Sequence, residues 1–313
     1  MSFASETKNE LARITPEKNC CMLAEIAGFM RIAGSVRLVG GGKFQIVMTT
    51  SSPAIARHYK TLIKSYFSID PALEMGQAGG LKKGHAYILT IGPEDLSEQI
   101  LRETGILMVK EGMNFISDGI YDGLIRTKCC RKAYLRGAFL AGGTVNSPEK
   151  EYHLEISTGT ELLAKELRRL FNSFVDINAR VVIRKNSRGV YLKAGEQIKD
   201  VLAIMGASNQ FFAFEDAMMM KEIKSKTHRI SNLDNANIDK ALLAAEKQLT
   251  AIHRIAEKKS LDFLSPKLRE AAEARLEHPE MGIEELGKAM DPPLSKSGIN
   301  NRLRRIEEIA KKL

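Results

Sequence analysis

Cys20-Cys21-Met22-Leu23-Ala24-Glu25-Ile26-Ala27-Gly28-Phe29-Met30-Arg31-Ile32-Ala33-Gly34-Ser35-Val36 is answered in this chain by a second, related copy. The second copy runs from Cys129-Cys130 through Ala133, Tyr134, Leu135, Arg136, Gly137, Ala138, Phe139, Leu140, Ala141, Gly142, Gly143 and Thr144 to Val145. Cys20 is answered by Cys129, Gly28 by Gly137, Gly34 by Gly143 and Val36 by Val145, a constant separation of 109 residues. An internal repeat of this kind makes the N-terminal part a duplicated unit, so the fold has to be read in two halves.

The halves follow one programme. Residues 2–15 read as a short amphipathic helix with Leu11 and Ile14 on one side, and the first repeated stretch follows. Alternation of Phe44, Ile46 and Met48 with Gln45, Val47 and Thr49 predicts a half-buried strand, preceded by a hairpin turn at Gly40-Gly41-Gly42. Ser52 with Pro53 caps a helix carrying Ile55, Tyr59, Leu62 and Ile63. A weaker strand pair surrounds Lys82-Lys83-Gly84 and ends in Tyr87-Ile88-Leu89, and Glu94 to Leu107 reads as helical. In the second half Tyr152, Leu154 and Ile156 alternate with His153, Glu155 and Ser157. Thr160 then caps a helix bearing Leu162, Leu163, Leu167, Leu170 and Phe171. A hairpin across Asn186-Ser187-Arg188-Gly189 joins Val181-Val182-Ile183 to Val190-Tyr191-Leu192, and a helix runs from about Glu196 to Met205. The expected fold is therefore α+β: a pseudo-twofold domain over residues 1–210, with repeats at about 20–105 and 129–206. Residues 211–237 are expected to form a linker region that includes a helix around Phe211–Ile223, with a polar run at 225–237. Residues 238–313 form an all-α domain, whose first helix sets Ile238, Leu242, Ala245, Leu249, Ile252 and Ala256 on one seam.

The 313 residues carry a formal charge of +9, and 44% of them are hydrophobic. That share supports real cores, and the basic balance favours an anionic partner such as nucleic acid, although a solvated basic surface accounts for the charge equally well. The four cysteines stand as two adjacent pairs, Cys20-Cys21 and Cys129-Cys130. They match neither a disulfide framework nor a zinc spacing and read as buried small residues in a reducing cytoplasm. Glu25 and Arg31 interrupt the most apolar stretch, so no membrane partner is expected; no cofactor is expected either.

The C-terminal end carries the clearest functional pattern. Pro266 to about Glu277 is one helix, and Ile283 to Met290 is a second, with Ile283, Leu286 and Met290 inward. Asp291-Pro292-Pro293-Leu294 connects to a last helix capped by Ser295, with Leu294 placed to pack on Ile299. This is the layout of a helix-turn-helix over about 283–311. On a helical wheel Ile299, Leu303, Ile306, Ala310 and Leu313 face the core, whereas Ser297, Asn301 and Arg304, flanked by Asn300 and Arg305, face away. Asn pairs with adenine and Arg with guanine in a major groove. Lys296, Arg302 and the amides near Ser295 suit phosphates. A solvated polar face on a small bundle is the plainer account of the same residues. Glu307 and Glu308 repel phosphate, which concentrates contact in the first turns.

Both repeated stretches resemble the LAGLIDADG motif of homing endonucleases, Ile26 to Gly34 and Leu135 to Gly143 matching it position by position. In that family an acid before the final glycine binds the catalytic metal ions. Here the degenerate former metal positions are Ala33 and Gly142, which offer no oxygen donor. The resemblance thus implies a scaffold with no catalytic residues and no metal. The chain as a whole resembles the WhiA family of Gram-positive bacteria, through residues 129–143 and Asp291-Pro-Pro-Leu-Ser-Lys-Ser-Gly-Ile-Asn-Asn-Arg-Leu at 291–303. That resemblance implies a cytoplasmic, nucleoid-associated, double-stranded-DNA-binding transcription regulator of sporulation, cell division or chromosome segregation. It allows a sigma factor or another transcription regulator as partner. The rival readings are a nuclease with relocated acids, for which Glu149, Glu151 and Glu155 are available, and a maturase-like RNA-binding protein. A division scaffold for which DNA is incidental is the third. Arg180, Arg184, Lys185, Arg188 and Lys193 crowd the second half's hairpin, but Glu155 lies on the free face of the preceding strand. Whether the N-terminal domain serves DNA or protein contacts is left open.

Overall fold

The computed structural model describes residues 2–77, 85–184 and 187–313. The chain divides into two compact units, Met1–Lys221 and Glu222–Leu313. In the first unit, helix α1 (Phe3–Leu11) precedes α2 (Asn19–Ala33), the first repeated stretch. Then come β1 (Gly34–Val39), β2 (Lys43–Thr50), α3 (Pro53–Phe67), β3 (Ala72–Gln77), β4 (His85–Ile91) and α4 (Ser97–Glu103). A hairpin of β5 (Leu107–Lys110) and β6 (Met113–Ile116) separates the halves. The second half repeats the order with α5 (Lys128–Gly142), β7 (Gly143–Val145), β8 (Leu154–Thr158), α6 (Glu161–Phe171), β9 (Arg180–Arg184), β10 (Ser187–Leu192) and α7 (Gly195–Met205). Each half builds one antiparallel sheet, with strand orders β1-β2-β4-β3 and β7-β8-β10-β9. The two orders are the same topology, as expected of a duplication.

Local chemistry explains the helix starts. Ser52 accepts from the Ile55 amide at 3.4 Å with Pro53 next to it, and Thr160 accepts from the Leu163 amide at 3.3 Å. Each satisfies an amide that an α-helix leaves unpaired in its first turn. Between β1 and β2 the chain reverses at Gly41 and Gly42, whose φ angles of 76° and 73° lie in the left-handed region that glycine adopts without a Cβ penalty. The apolar faces of α3 and α6 are buried, except that Leu162 is 49% exposed instead of joining Leu163 in the core.

The centre of the unit is the contact of α2 with α5. A Cβ at Gly28 would overlap the Tyr134 carbonyl oxygen and lie 3.2 Å from the Ala138 amide nitrogen. A Cβ at Gly137 would overlap the Glu25 carbonyl oxygen and lie 3.0 Å from the Phe29 nitrogen. The partners are themselves repeat-related, since Glu25 and Phe29 stand 109 residues before Tyr134 and Ala138. Backbone therefore meets backbone, with Ala24, Ala27, Ala133 and Ala138 all buried around the crossing.

The same crossing encloses charge. Glu25 is fully buried, accepting from Arg136 Nε at 2.8 Å and Nη2 at 2.6 Å through one oxygen. His58 Nε2 lies 2.8 Å from the other oxygen and donates to it. Arg136 also donates to the Met205 carbonyl at 3.0 Å, tying α5 to the end of α7. Tyr59, buried beside this group and stacked on Phe29, has its hydroxyl pKa pushed well above the ordinary range by burial, with the Glu25 charge adding to the shift.

Several expectations are corrected. Glu94 to Leu107 is not one helix, because α4 covers only Ser97–Glu103 and Leu107 begins β5. Gly105 follows the helix at φ 67° and ends it. Ser187, Arg188 and Gly189 belong to β10 instead of the turn, since Arg188 pairs with both Thr158 and Ile183. Lys185 and Asn186, like Lys82, Lys83 and Gly84, lie outside the described residues. The cysteines are not four separate buried fillers either. The two pairs converge, with all four sulfurs within 4.8 Å of one another. The polar run at 225–237 is helical: α8 extends unbroken from Ser208 to Lys259. No glycine or proline occurs between Ala207 and Lys259. Three asparagines, each costing roughly half a kcal/mol in propensity, do not stop a helix that has no breaker. Within α8, Phe214 belongs to the core of the first unit and Ala245, Ile252 and Ile255 are buried in the second, but Ile238, Leu242 and Ala256 of the expected seam are exposed.

Gly137→Val should lower the stability of the N-terminal unit by about 3 kcal/mol, the upper end of overpacking costs, because the obstacle is backbone. A denaturant midpoint equal to that of the unsubstituted protein would contradict the close contact. Arg136→Met should cost about 3–5 kcal/mol by stranding the Glu25 charge. Adding Glu25→Leu to that variant should recover stability, a sign of coupling that thermal unfolding of the two single variants and the pair will reveal.

Candidate nucleic-acid interface

The second unit is a helical bundle. After α8 come α9 (Pro266–Glu277), α10 (Ile283–Ala289) and α11 (Lys296–Lys311), the last three helices expected from sequence. Their core gathers Leu264, Ala271, Ala272, Leu286, Met290, Ile299, Leu303, Ile306 and Ala310, with Leu294 and Ile283 packed against it. Leu294 donates its amide to the Gly287 carbonyl at 2.8 Å, closing the turn between α10 and α11. A Cβ on Gly287 would lie 2.6 Å from the Leu294 carbonyl oxygen, so this turn is as tight as the chain permits. Ser295 caps α11 by accepting from the Gly298 amide at 3.2 Å.

Sequence reasoning missed Arg275. It is 1% exposed and donates to the carbonyls of Met281 at 2.6 Å and His278 at 3.2 Å, strapping the α9–α10 connection. Burial lowers its guanidinium below its ordinary range. The signal available was an arginine on the inner side of a helix followed by a loop whose carbonyls have no helical partners.

The buried stripe of α11 leaves the opposite side free. Ser295, Lys296, Ser297, Asn300, Asn301, Arg304 and Arg305 are all exposed. Arg302 differs from its expected place toward phosphate: it is only half-exposed and donates to the Lys267 carbonyl at 3.1 Å, with Glu270 3.4 Å away. Its length lets it reach back to α9, so it braces the bundle. Glu308 lies 3.0 Å from Arg305 and 3.9 Å from Arg304, and Glu307 lies 3.4 Å from Lys247. Glu284 on α10 is held below the usual carboxylate range chiefly by its bond to Lys288, with a smaller contribution from the charge of Lys296.

In the first unit, Ala33 and Gly142, the positions where the motif resemblance expects a lost acid, are the last residues of α2 and α5. A Cβ on Gly142 would stand 2.8 Å from both Ile32 Cγ2 and the Ser157 carbonyl oxygen. The acids of the relocated-nuclease reading are scattered. Glu149 and Glu151 are exposed between β7 and β8. Glu155 pairs across the sheet with Thr144, near the end of α5, and its carboxylate lies 3.0 Å from His153. Ser35, which answers Thr144 in the repeat, pairs with Val47, so the first half has no carboxylate at the place of Glu155. The basic residues of the second hairpin also separate. Strand register puts Arg180 and Arg184 on the face shared with Glu155 and Tyr191, whereas Arg188 shares the opposite face with Val190 and Leu192. Among the described residues, no helix is long and apolar enough to cross a membrane.

Comparison with known proteins agrees with this layout. Three family models match in succession: the WhiA N-terminal LAGLIDADG-like domain over residues 19–107, the WhiA LAGLIDADG-like domain over 131–224, and the WhiA C-terminal HTH domain over 227–310. A probable cell division protein WhiA of Thermoanaerobacter pseudethanolicus is 42% identical over 313 residues, covering 100% of this chain and 98% of that protein. Its counterpart in Alkaliphilus metalliredigens is 41% identical over 310 residues, covering 99% and 98%. The crystal structure of full-length DUF199/WhiA from Thermotoga maritima matches with a TM-score of 0.60 at 25% identity, covering 100% of this chain and 99% of that one. Two successive LAGLIDADG-like domains followed by an HTH domain are what the family models match, the relatives span the whole chain, and the chain belongs to the WhiA family.

Proposed function

We propose that this protein is a non-enzymatic, sequence-specific DNA-binding transcription regulator that reads double-stranded DNA with α11. The observation that carries the reading is the free face of that helix. Ser297, Asn300, Asn301, Arg304 and Arg305 are exposed opposite a buried apolar stripe, on the last helix of a compact unit. Such a helix presents bidentate donors to base edges, while Lys296 and the capped N-terminus at Ser295 meet phosphate. Arg302 serves the geometry by holding α11 to α9. The relatives named as cell division proteins support a role in cell division. Sporulation, chromosome segregation, a cytoplasmic place on the nucleoid, and a sigma factor or another regulator as protein partner are further parts of the reading, drawn from the family resemblance.

The absence of an enzymatic role is inferred from the same residues that closed off the older site. Ala33 and Gly142 supply no oxygen ligand where each half of a nuclease centre needs one. Glu155 alone cannot make a symmetric pair, and Glu25 is committed to Arg136 and His58.

Arg304→Ala should cost about 1–3 kcal/mol on the cognate site and relax preference at one base pair. Lys296→Ala should weaken all duplexes alike and flatten the slope of log affinity against log salt. Competitive binding of a randomised duplex pool separates the two, and equal losses on specific and random DNA would overturn base reading by this helix. Glu308→Gln frees Arg304 and Arg305 from an exposed ion pair and removes a like charge from the phosphate path. It should tighten binding by roughly twofold to fivefold, the scale of an ion pair of about 0.4–1 kcal/mol, and fluorescence anisotropy at two salt concentrations measures it.

A further inference from the structure

The convergence of the cysteines has no part in DNA reading. Cys20 and Cys21 are the second and third residues of α2, and Cys129 and Cys130 are the second and third residues of α5. One sulfur from each pair, Cys21 and Cys130, meets the other at 4.0 Å inside the unit. All four sulfurs lie within 4.8 Å of one another, and Cys20 is exposed while Cys129 is half-buried. The geometry points to a tetrathiolate site for a single divalent ion of zinc chemistry, which clasps the N-terminal ends of the two repeat-related helices.

The distances select the ligand. Zinc bound by four thiolates at about 2.3 Å sets its sulfurs about 3.8 Å apart at the corners of a tetrahedron. The present cluster reaches that arrangement with side-chain adjustments of about 1 Å or less. An iron–sulfur cube, with sulfide bridges between its irons, needs its cysteine sulfurs spread considerably wider. Four thiolates also select a soft or borderline transition ion over magnesium or calcium, which take oxygen ligands. Charge is arranged to suit. A zinc tetrathiolate carries a net charge of −2, and both helices direct their positive N-terminal ends at it. Lys18, Lys128, Arg131 and Lys132 flank the pairs in sequence. The exposed Cys20 leaves an entry path for the ion, while Cys21 and Cys130 close the inner side.

This site is separate from the lost nuclease centre. Ala33 stands thirteen positions after Cys20 on α2, about 20 Å of helix at 1.5 Å per residue. The former metal positions sit at the C-terminal ends of α2 and α5, the cysteines at their N-terminal ends. A duplication that carried one Cys-Cys pair per copy yields four ligands only when both copies fold against each other, so the ion would report on correct pairing of the halves.

The test uses the full-length chain, reduced and handled without oxygen. Zinc titration should saturate at one ion per chain, raise the unfolding temperature, and protect all four cysteines from iodoacetamide as read by mass spectrometry. Cobalt(II) should give the intense visible bands of a tetrahedral tetrathiolate, bleached by zinc. Cys20→Ser and Cys129→Ser, chosen because neither side chain is fully buried, should each weaken zinc by roughly 100-fold or more, beyond the 10–100-fold that lost supporting contacts cost a metal site. Zinc bound equally by the Cys20→Ser/Cys129→Ser variant would overturn the site. So would an octahedral cobalt spectrum, or disulfides between the pairs in protein purified anaerobically with zinc present.

Discussion

Two helices can approach until their backbones touch only where neither has a side chain between them, and α2 and α5 meet that condition at Gly28 and Gly137. Each glycine faces a carbonyl of the other helix, and the facing residues are themselves related by the repeat. The rest of the N-terminal unit follows from that contact. The crossing brings Arg136 onto Glu25, fixes the starts of β1 and β7 at the helix ends, and sets the two sheets in repeat-related positions. It also brings the cysteine pairs together at the other end of the same helices. Buried charge is tolerated at the crossing because both Glu25 oxygens are hydrogen-bonded, one twice by Arg136 and the other by His58.

The C-terminal unit depends on a different economy of space. Gly287 and Leu294 close a turn with no room for a side chain, and this sets α11 against α9 and α10 with its apolar stripe inward. Because the stripe is complete, the polar side is left entirely to solvent. The two arginines there are restrained by Glu308, so any anion approaching them would compete with an intramolecular carboxylate. Arg302, by contrast, already has its partners. Residue type alone did not separate these three arginines; their reach toward α9 did.

The duplication was legible in the sequence because its spacing is constant, and the helix starts were legible because Ser52, Thr160 and Ser295 are side-chain caps with local partners. The buried stripe of α11 follows directly from a 3.6-residue period. What escaped was set by contacts distant in sequence or by the absence of a signal. The β5–β6 hairpin is short and largely exposed, so it has little apolar alternation to read. The continuity of α8 was hidden by a polar composition that looks like a linker, although nothing in it breaks a helix. The cysteine cluster escaped because metal spacings are looked for within one segment. Here 109 residues separate the two pairs, and only the pairing of the halves brings them together.

The retained glycines and the lost acids answer to different constraints, and the second half makes the difference concrete. At Gly142 a Cβ would press on Ile32 and on the Ser157 carbonyl, so an acid there requires the neighbouring strand and α2 to yield. Ala33 already carries a Cβ, so an acid is sterically easier to place in the first half than in the second. A reversion would therefore be lopsided, giving one carboxylate where two-metal hydrolysis needs a clamp from both sides. Glu155 lies in the second half, but on a strand beside the helix end instead of at it, and its carboxylate is paired with His153. Packing leaves no room for a longer side chain at Gly142, while the contact of α2 with α5 is the axis of the fold.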